Sequence, residues 1–170
     1  MLAVVGVGAV GCSSGGGGGG AGEITICAEL GNLCAQVSVA RVVNTCGTST
    51  ASMNYSSAFG VSDSLDNCSY GGSAGMMSFN IHRACEASAS DGRAYYEVEH
   101  TTALPFEFVR EEVGGLGDSA FMRTSTDPAL AALYVLRGNL VVSLEDYEPP
   151  AGTSAKPCLT TLAGYVLAAM

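Results

Sequence analysis

The sequence predicts an α+β fold, a single domain in which helices flank an antiparallel β-sheet. Three observations indicate this fold. Met77 to Cys85 alternates apolar and polar side chains, as a half-buried strand does. Ala131 to Leu136 and Leu140 to Leu144 are apolar strands joined by the short turn Arg137-Gly138-Asn139, and we expect both strands to be central. Leu159 to Met170 repeats apolar residues at helical spacing, which predicts a C-terminal amphipathic helix packed on the sheet.

The first part of the domain predicts a helix followed by a loop. Asn32 can cap the helix and Gly47 is a natural stop, although the β-branched valines between them would also suit a strand. Thr48 to Asp66 is rich in Ser, Thr and Asn and lacks a strong period. We therefore expect an extended loop there, with room for one edge strand around Met53 to Ala58. The apolar face of the helix would consist of Leu33, Val37, Ala40 and Val43.

The middle of the chain predicts a hairpin and two helices. Cys68 to Tyr70 can pair with the alternating strand across a turn at Gly71 to Gly75. A helix capped by Ser90 or Asp91 follows, and a second, short helical piece spans Phe106 to Val113. The longer helix, which we expect to end near Ala103, would turn inward Ala94, Tyr95, Val98 and Thr102.

The C-terminal helix has its own start signals. Ser154 can cap it, and Pro157 falls in its first turn, where a missing backbone N–H costs nothing. Upstream of the central hairpin, Asp118 is expected to cap a turn or the approach to the next strand.

The amino-terminal segment predicts export and a lipid anchor. Residues 1–11 are apolar and uncharged, and they are fewer than the roughly 20 residues that span a bilayer. Ala9-Val10-Gly11-Cys12 resembles the lipobox of bacterial lipoproteins, which implies that residues 1–11 are a signal peptide and that Cys12 is lipidated. The chain would then sit on the extracytoplasmic face of a bacterial membrane. A cleaved secretory signal, giving soluble secretion, is the alternative.

Glycine content and charge describe the rest of the organisation. Residues 12–23 form the lipidated cysteine and a glycine-rich linker, whose run from Gly15 to Gly22 reaches roughly 15 Å as a flexible coil. Residues 24–170 form the single domain. The formal net charge of -9 opposes binding to nucleic acid and to anionic lipid head groups. Gly6 to Gly11 matches a dinucleotide fingerprint, but polyglycine rather than a helix follows it, so we expect no cofactor.

Six cysteines remain once Cys12 is assigned to lipid. An even number in an exported chain predicts three disulfides, and spacing alone leaves 15 possible pairings. Zinc is the competing interpretation, but the chain contains no C-x-x-C, and His82 and Cys85 point to opposite faces of one strand. We therefore expect disulfides and no metal. The six cysteines are Cys27, Cys34, Cys46, Cys68, Cys85 and Cys158.

The order of these parts resembles a family of actinobacterial lipoproteins of unknown function, itself similar to the PsbP-like and LpqN-like domains. The resemblance covers residues 33–169 and rests on the lipobox and linker, the cysteine in the first helix, the Gly115-Leu116-Gly117-Asp118 segment, the Arg137-Gly138-Asn139 hairpin and the C-terminal helix. It implies an antiparallel sheet flanked by helices and a disulfide that joins Cys34 to Cys68. The other four domain cysteines depart from the family's pattern.

Two functions from different classes follow. The preferred one is a non-enzymatic binding or accessory module that engages an envelope protein or a small apolar ligand. The alternative is an envelope hydrolase that uses Ser73, within a G-x-S-x-G match, or a cation-dependent site at Glu97, Glu99 and His100. Against Ser73 stands the strand, rather than a helix, that follows it. Against the carboxylates stands the usual role of such acidic clusters, which is to form a solvated face. A recognition surface is expected where residues 48–66 and 71–75 meet the Tyr95-Tyr96 helix.

Overall fold

The computed structural model describes residues 31–48, 50–59, 64–72, 77–102, 108–126, 129–147, 149 and 154–169. In these ranges the chain forms seven strands and four helices, which confirms the α+β fold. In chain order they are α1 (Leu33–Gln36), α2 (Val39–Cys46), β1 (Thr50–Phe59), β2 (Ser64–Gly72), β3 (Met77–Cys85), α3 (Ala89–Thr101), β4 (Val109–Glu112), β5 (Ser119–Thr126), β6 (Ala129–Arg137), β7 (Leu140–Tyr147) and α4 (Lys156–Ala168).

All seven strands lie in one antiparallel sheet, ordered β1-β2-β3-β7-β6-β5-β4. The predicted hairpins are confirmed, since β2 pairs with β3, and β6 pairs with β7 across the turn at Gly138. The strand β7 is at the centre of the order, with β6 beside it. Because β3 pairs with β7, helix α3 and strands β4 to β6 are inserted between two neighbouring strands of the sheet.

One face of the sheet, here called the α4 face, packs against α1, α2 and α4 and contains the larger apolar core. Helix α4 buries the predicted apolar stripe, except for Met170, which lies outside the described residues. Its N-cap is Ala155, without a side-chain cap, rather than Ser154. None of the helices in the described part of the chain has the length and apolar character that crossing a bilayer requires. The buried stripe consists of Leu159, Leu162, Ala163, Val166 and Leu167.

The prediction of a single helix between Asn32 and Gly47 is wrong, because the helix is interrupted at Val37 and forms α1 and α2 instead. Val37 is extended, with φ -121° and ψ 91°, and its carbonyl accepts a hydrogen bond of 2.5 Å from the buried Tyr70 hydroxyl. Ser38 then caps α2 by accepting from the Arg41 amide. The two ends were predicted correctly: Asn32 caps α1, and Gly47 ends α2 in a left-handed conformation at φ 68°.

Three further elements differ from the sequence prediction. The edge strand expected around Met53 to Ala58 is confirmed as β1, but much of the loop expected over residues 48–66 is also strand, in β1 and the start of β2. Strand β4 lies within the range Phe106 to Val113, where a helix was expected. Helix α3 begins after Ser88, and it buries Gly92 and Tyr96 rather than the predicted apolar face. Val98, which we expected inside, is 61% exposed. The strand β5 has no counterpart in the prediction.

A buried ion pair ties the beginning of the described chain to the sheet. Arg83 on β3 is fully buried, and its Nε and Nη2 donate to Asp66 of β2 at 2.8 and 2.5 Å. Nη2 also donates to the carbonyl of Gly31 at 2.8 Å. Because each charge is neutralised and hydrogen-bonded, this pair avoids the penalty of an isolated buried ion. It also fixes Gly31 on the α4 face.

Disulfides hold the short helices to the rest of the core. Cys34 of α1 is bonded to Cys68 of β2, which is the pair implied by the family resemblance. Cys46 of α2 is bonded to Cys158 of α4, across 112 residues of sequence. Cys85 is disulfide-bonded as well. The other four described cysteines pair with one another, so the partner of Cys85 lies outside the described residues, as do Cys12 and Cys27.

The Gly115-Leu116-Gly117-Asp118 segment latches onto the β6–β7 turn. The amide of Asp118 donates to the Leu136 carbonyl at 2.7 Å, and its carboxylate accepts from the Gly138 amide at 2.6 Å. Gly117 has φ +54°, and a Cβ there would fall against the backbone of Leu136. Asp118 therefore caps this turn, and Gly117 permits the close approach.

Gly117→Ala is expected to destabilise the domain by more than about 2 kcal/mol, because the new methyl group meets backbone in a conformation that alanine avoids. Gly114→Ala is the matched control, since nothing lies within 4 Å of a Cβ at that position. Its free energy of unfolding should change by less than about 0.5 kcal/mol. Urea unfolding of both variants measures the difference, and equal effects would contradict the latch.

The carboxylate of Asp146 is expected to make stability depend on pH. It is 1% exposed on the α4 face, its Oδ1 lacks a hydrogen-bond partner, and burial raises its pKa to about 6. The folded protein thus keeps a proton that the unfolded chain releases near pH 4. Stability should therefore fall as pH rises through this window, by about 3 kcal/mol.

Asp146→Asn removes this titration. We expect wild type to lose stability relative to the variant between pH 4 and pH 7, as measured by urea midpoints at both values. Parallel stability profiles for the two proteins would show that Asp146 does not titrate in this way.

Candidate functional site

The other face of the sheet, here called the α3 face, is only partly covered. Helix α3 packs on β6 and β7, and Gly92 lies so close to Asn139 that a Cβ would come within 2.8 Å of its backbone. The strand register aligns one row of side chains across six strands of this face. In the spatial order β2, β3, β7, β6, β5 and β4, the row is Asn67, His82, Ser143, Tyr134, Phe121 and Glu112.

Aromatic rings form the centre of the α3 face. Phe121 and Tyr134 are stacked, with centroids 4.8 Å apart and planes at 8°. The rings of Tyr96 and His100 of α3 make T-shaped contacts with Phe121, with centroid distances of 5.2 and 4.8 Å. This cluster attaches the C-terminal half of α3 to β5 and β6.

Arg123 lies beside these rings and is only 3% exposed. Its guanidinium carbon is 5.1 Å from the centroids of both Phe121 and Tyr134. Its Nη1 is 3.8 Å from the Glu99 carboxylate of α3. The Nε and Nη2 atoms are buried without a hydrogen-bond partner, so Arg123 is less completely satisfied than Arg83 on the opposite face.

A polar strip, half-exposed except for the buried Ser143, borders the aromatic centre toward β3 and β7. Tyr147 donates to Glu145 at 2.6 Å, and Ser143 stands opposite His82 in the register. Burial lowers the pKa of His82, more than the nearby carboxylates raise it, which favours a neutral imidazole at neutral pH. Burial also raises the pKa of Tyr134 and of Tyr95, so their phenols stay protonated. The strip therefore offers uncharged donors and acceptors beside carboxylates.

The structure does not bring Glu97, Glu99 and His100 together as a cation site. Glu99 faces Arg123, whereas His100 contacts Glu112 at 2.9 Å and Glu97 is exposed. Among the described ranges no group of three or more His, Cys, Asp or Glu side chains is placed to hold a metal ion. The cation-dependent version of the hydrolase is therefore not supported. Ser73, the other candidate, lies outside the described residues.

The predicted recognition surface is only partly recovered. Tyr95 and Tyr96 do lie on α3, but α3 packs on β6 and β7, while residues 73–75 lie outside the described part of the chain. Sequence reasoning missed Phe121 and Arg123. Both faces of β5 are largely buried, so its sequence lacks the alternation that identified β3.

The chain matches no protein-family model and no curated protein. Its fold is similar to that in the crystal structure of the extracellular domain of PknH from Mycobacterium tuberculosis, with a TM-score of 0.50 and 10% sequence identity. The similarity covers 80% of this chain and 93% of the PknH domain. At this level of identity the two proteins share a fold, and nothing about function follows from it.

Glu99→Gln is expected to destabilise the domain by about 1 to 3 kcal/mol, because it leaves the buried charge of Arg123 without its counter-ion. Glu97→Gln on the exposed side of the same helix is the control and should change stability by less than about 0.5 kcal/mol. Thermal and urea unfolding measure both. Equal stability of the two variants would mean that the Arg123–Glu99 contact contributes little.

Proposed function

We propose that this protein is a lipid-anchored, extracytoplasmic bacterial lipoprotein that acts as a non-enzymatic binding or accessory module of the cell envelope. The observation that carries the proposal is that all five described cysteines are disulfide-bonded. Disulfides persist in oxidising compartments and are rare in reducing cytosol. A chain that depends on them therefore belongs outside the cytoplasm.

The cysteine count supports the anchor. The chain has seven cysteines, and bonding of the five described ones leaves Cys12 and Cys27 as candidates for the partner of Cys85. In our proposal Cys27 takes that position and Cys12 carries the lipid. Each of the seven cysteines then has one role.

The position of Gly31 suits a tethered domain. Its carbonyl accepts from Arg83, which places the first described residue of the domain on the α4 face. The α3 face lies on the other side of the sheet. The half-exposed side chains of this face include an imidazole, two phenols and a carboxylate beside the aromatic rings, which resembles a recognition surface more than a catalytic site: His82, Tyr95, Tyr147 and Glu145. This supports the binding-module assignment.

Membership of the PsbP-like and LpqN-like lipoprotein group is part of the same proposal. Two features support it: the bond between Cys34 and Cys68, and the C-terminal helix on an antiparallel sheet. The hydrogen bond of Asp118 and the close approach at Gly117 give the Gly115-Leu116-Gly117-Asp118 segment a structural role.

Mass spectrometry of the native, unreduced protein tests the proposal directly. We expect an acylated N-terminal peptide that begins at Cys12 and a disulfide between Cys27 and Cys85. A bond between Cys12 and Cys85, or an unmodified Cys12 thiol in protein recovered from membranes, would overturn the anchor.

Fractionation provides a second readout with a matched control. Cys12→Ser should move the protein out of the membrane fraction, because each buried CH2 of the acyl chains contributes roughly 0.8 kcal/mol to membrane binding. Ser14→Ala, two residues away, should leave fractionation unchanged. Identical behaviour of the two variants would contradict lipid anchoring.

A further inference from the structure

The two edges of the sheet are built differently. The edge strand β4 has four residues, and three of them are charged: Arg110, Glu111 and Glu112. Two of these charges are further occupied, since Glu111 pairs with Lys156 and Glu112 with His100. Short length and charge are standard protections against unwanted pairing of an edge strand. This edge is therefore closed to further strands.

The opposite edge strand, β1, lacks these protections. It spans ten residues, Thr50–Phe59, and contains no charged residue and no proline. Residues 52–57 are exposed, and among the strands that the structure describes β1 pairs only with β2. On its outer side a strand of this kind presents a row of backbone donors and acceptors that pairing can satisfy.

We propose that β1 is the dimerisation edge of this protein, where the β1 strand of a second copy pairs antiparallel to it. Self-pairing requires that a strand tolerate its own side chains opposite it, and an uncharged strand meets no like-charge repulsion across a two-fold axis. The rest of the chain is acidic, with a net charge of -9, so an uncharged edge is where two copies can approach each other.

The two-fold geometry restricts the register. The axis of an antiparallel pair that continues a sheet is perpendicular to that sheet, so a residue on the axis faces its own copy. The centre of β1 places Asn54 or Tyr55 there. Met53 and Tyr55 share the side of Cys68 and Tyr70, and they are 42% and 36% exposed. In either register these apolar side chains of the two copies become cross-strand neighbours, which covers them.

The same axis places both copies of Gly31 on one side of the dimer. A perpendicular two-fold keeps the α4 faces of the two copies on the same side, and Gly31 lies on that face. We propose that this side faces the membrane that holds both lipid anchors, and both α3 faces then lie on the other side. This step rests on the proposed lipid anchor, whereas the pairing of β1 does not.

Charge substitution at β1 tests the proposal on the full-length protein purified from membranes in detergent. In sedimentation velocity over a dilution series we expect wild type to form a dimer. Asn54→Lys with Ser56→Lys should raise the dimer Kd about tenfold or more, since each pairing places like charges opposite or diagonal to each other. Asn54→Glu with Ser56→Glu should do the same.

An equimolar mixture of the Lys and Glu variants should restore dimers, because the opposed charges then attract. This rescue can only come from folded chains. Val109→Lys on the other edge, at a position that is 68% exposed, is the control and should leave Kd unchanged. A monomeric wild type at all concentrations, undiminished dimers of both double variants, or a mixture that stays monomeric would each overturn the proposal.

Repeating the series with Cys12→Ser separates this proposal from the lipid anchor. Dimers that persist in this variant and respond to the β1 charges support the β1 edge, whatever mass spectrometry shows at Cys12. Dimers that require Cys12 and ignore the β1 charges would place the contact elsewhere and overturn the proposal for β1.

Discussion

Covalent cross-links hold in place helices that are too short to be stable alone. Helix α1 has four residues and α2 has eight, whereas isolated helices below about 12 residues are marginal in water. Cys34–Cys68 fixes α1 to β2, and Cys46–Cys158 fixes α2 to α4. With these helices in place, the α4 face of β2 and β3 is buried and Arg83 can reach both Asp66 and Gly31. The core of this half of the sheet therefore depends on an oxidising environment.

Each face of the sheet buries an arginine, and the two arginines differ in how completely their donors are hydrogen-bonded. On the α4 face, Arg83 has a bidentate carboxylate partner and a backbone carbonyl. On the α3 face, Arg123 has two stacked rings beside it, a more distant carboxylate and two donors without a partner. Incomplete satisfaction of this kind costs stability. The buried arginine of the α3 face therefore contributes less to stability than that of the α4 face. This supports the proposal that the α3 face is a recognition surface.

Sequence patterns predicted those elements whose burial is one-sided or whose ends carry strong signals. The alternation in β3 and the apolar stripe of α4 each reflect a single buried face, and both were confirmed. Strands β6 and β7 are buried on both faces, but their continuous apolar runs and the turn at Gly138 predicted them. Strand β5 was missed because both of its faces are buried while Arg123 and Thr124 interrupt its apolar residues, which gives neither alternation nor an apolar run. Strand β1 was expected only as an edge strand around Met53 to Ala58, and it spans Thr50–Phe59. The prediction of the buried face of α3 was wrong because Gly92 allows the helix to approach Asn139. Tertiary packing then buries Tyr96 instead of Val98. The centre of the candidate site, Phe121 and Arg123, could not be assembled without β5.

The disulfide connectivity determines which folding catalysts this protein needs. A chain threaded amino end first presents Cys34 and then Cys46, yet neither bonds to the other in the native domain. Cys46 pairs with Cys158, 112 residues further along the chain, so an oxidase that joined thiols in order of appearance would produce a mispaired intermediate. Such an intermediate resolves only through disulfide reshuffling, over seconds to hours depending on the catalyst. The yield of native protein in a host should therefore follow its disulfide isomerase capacity more than its oxidising power.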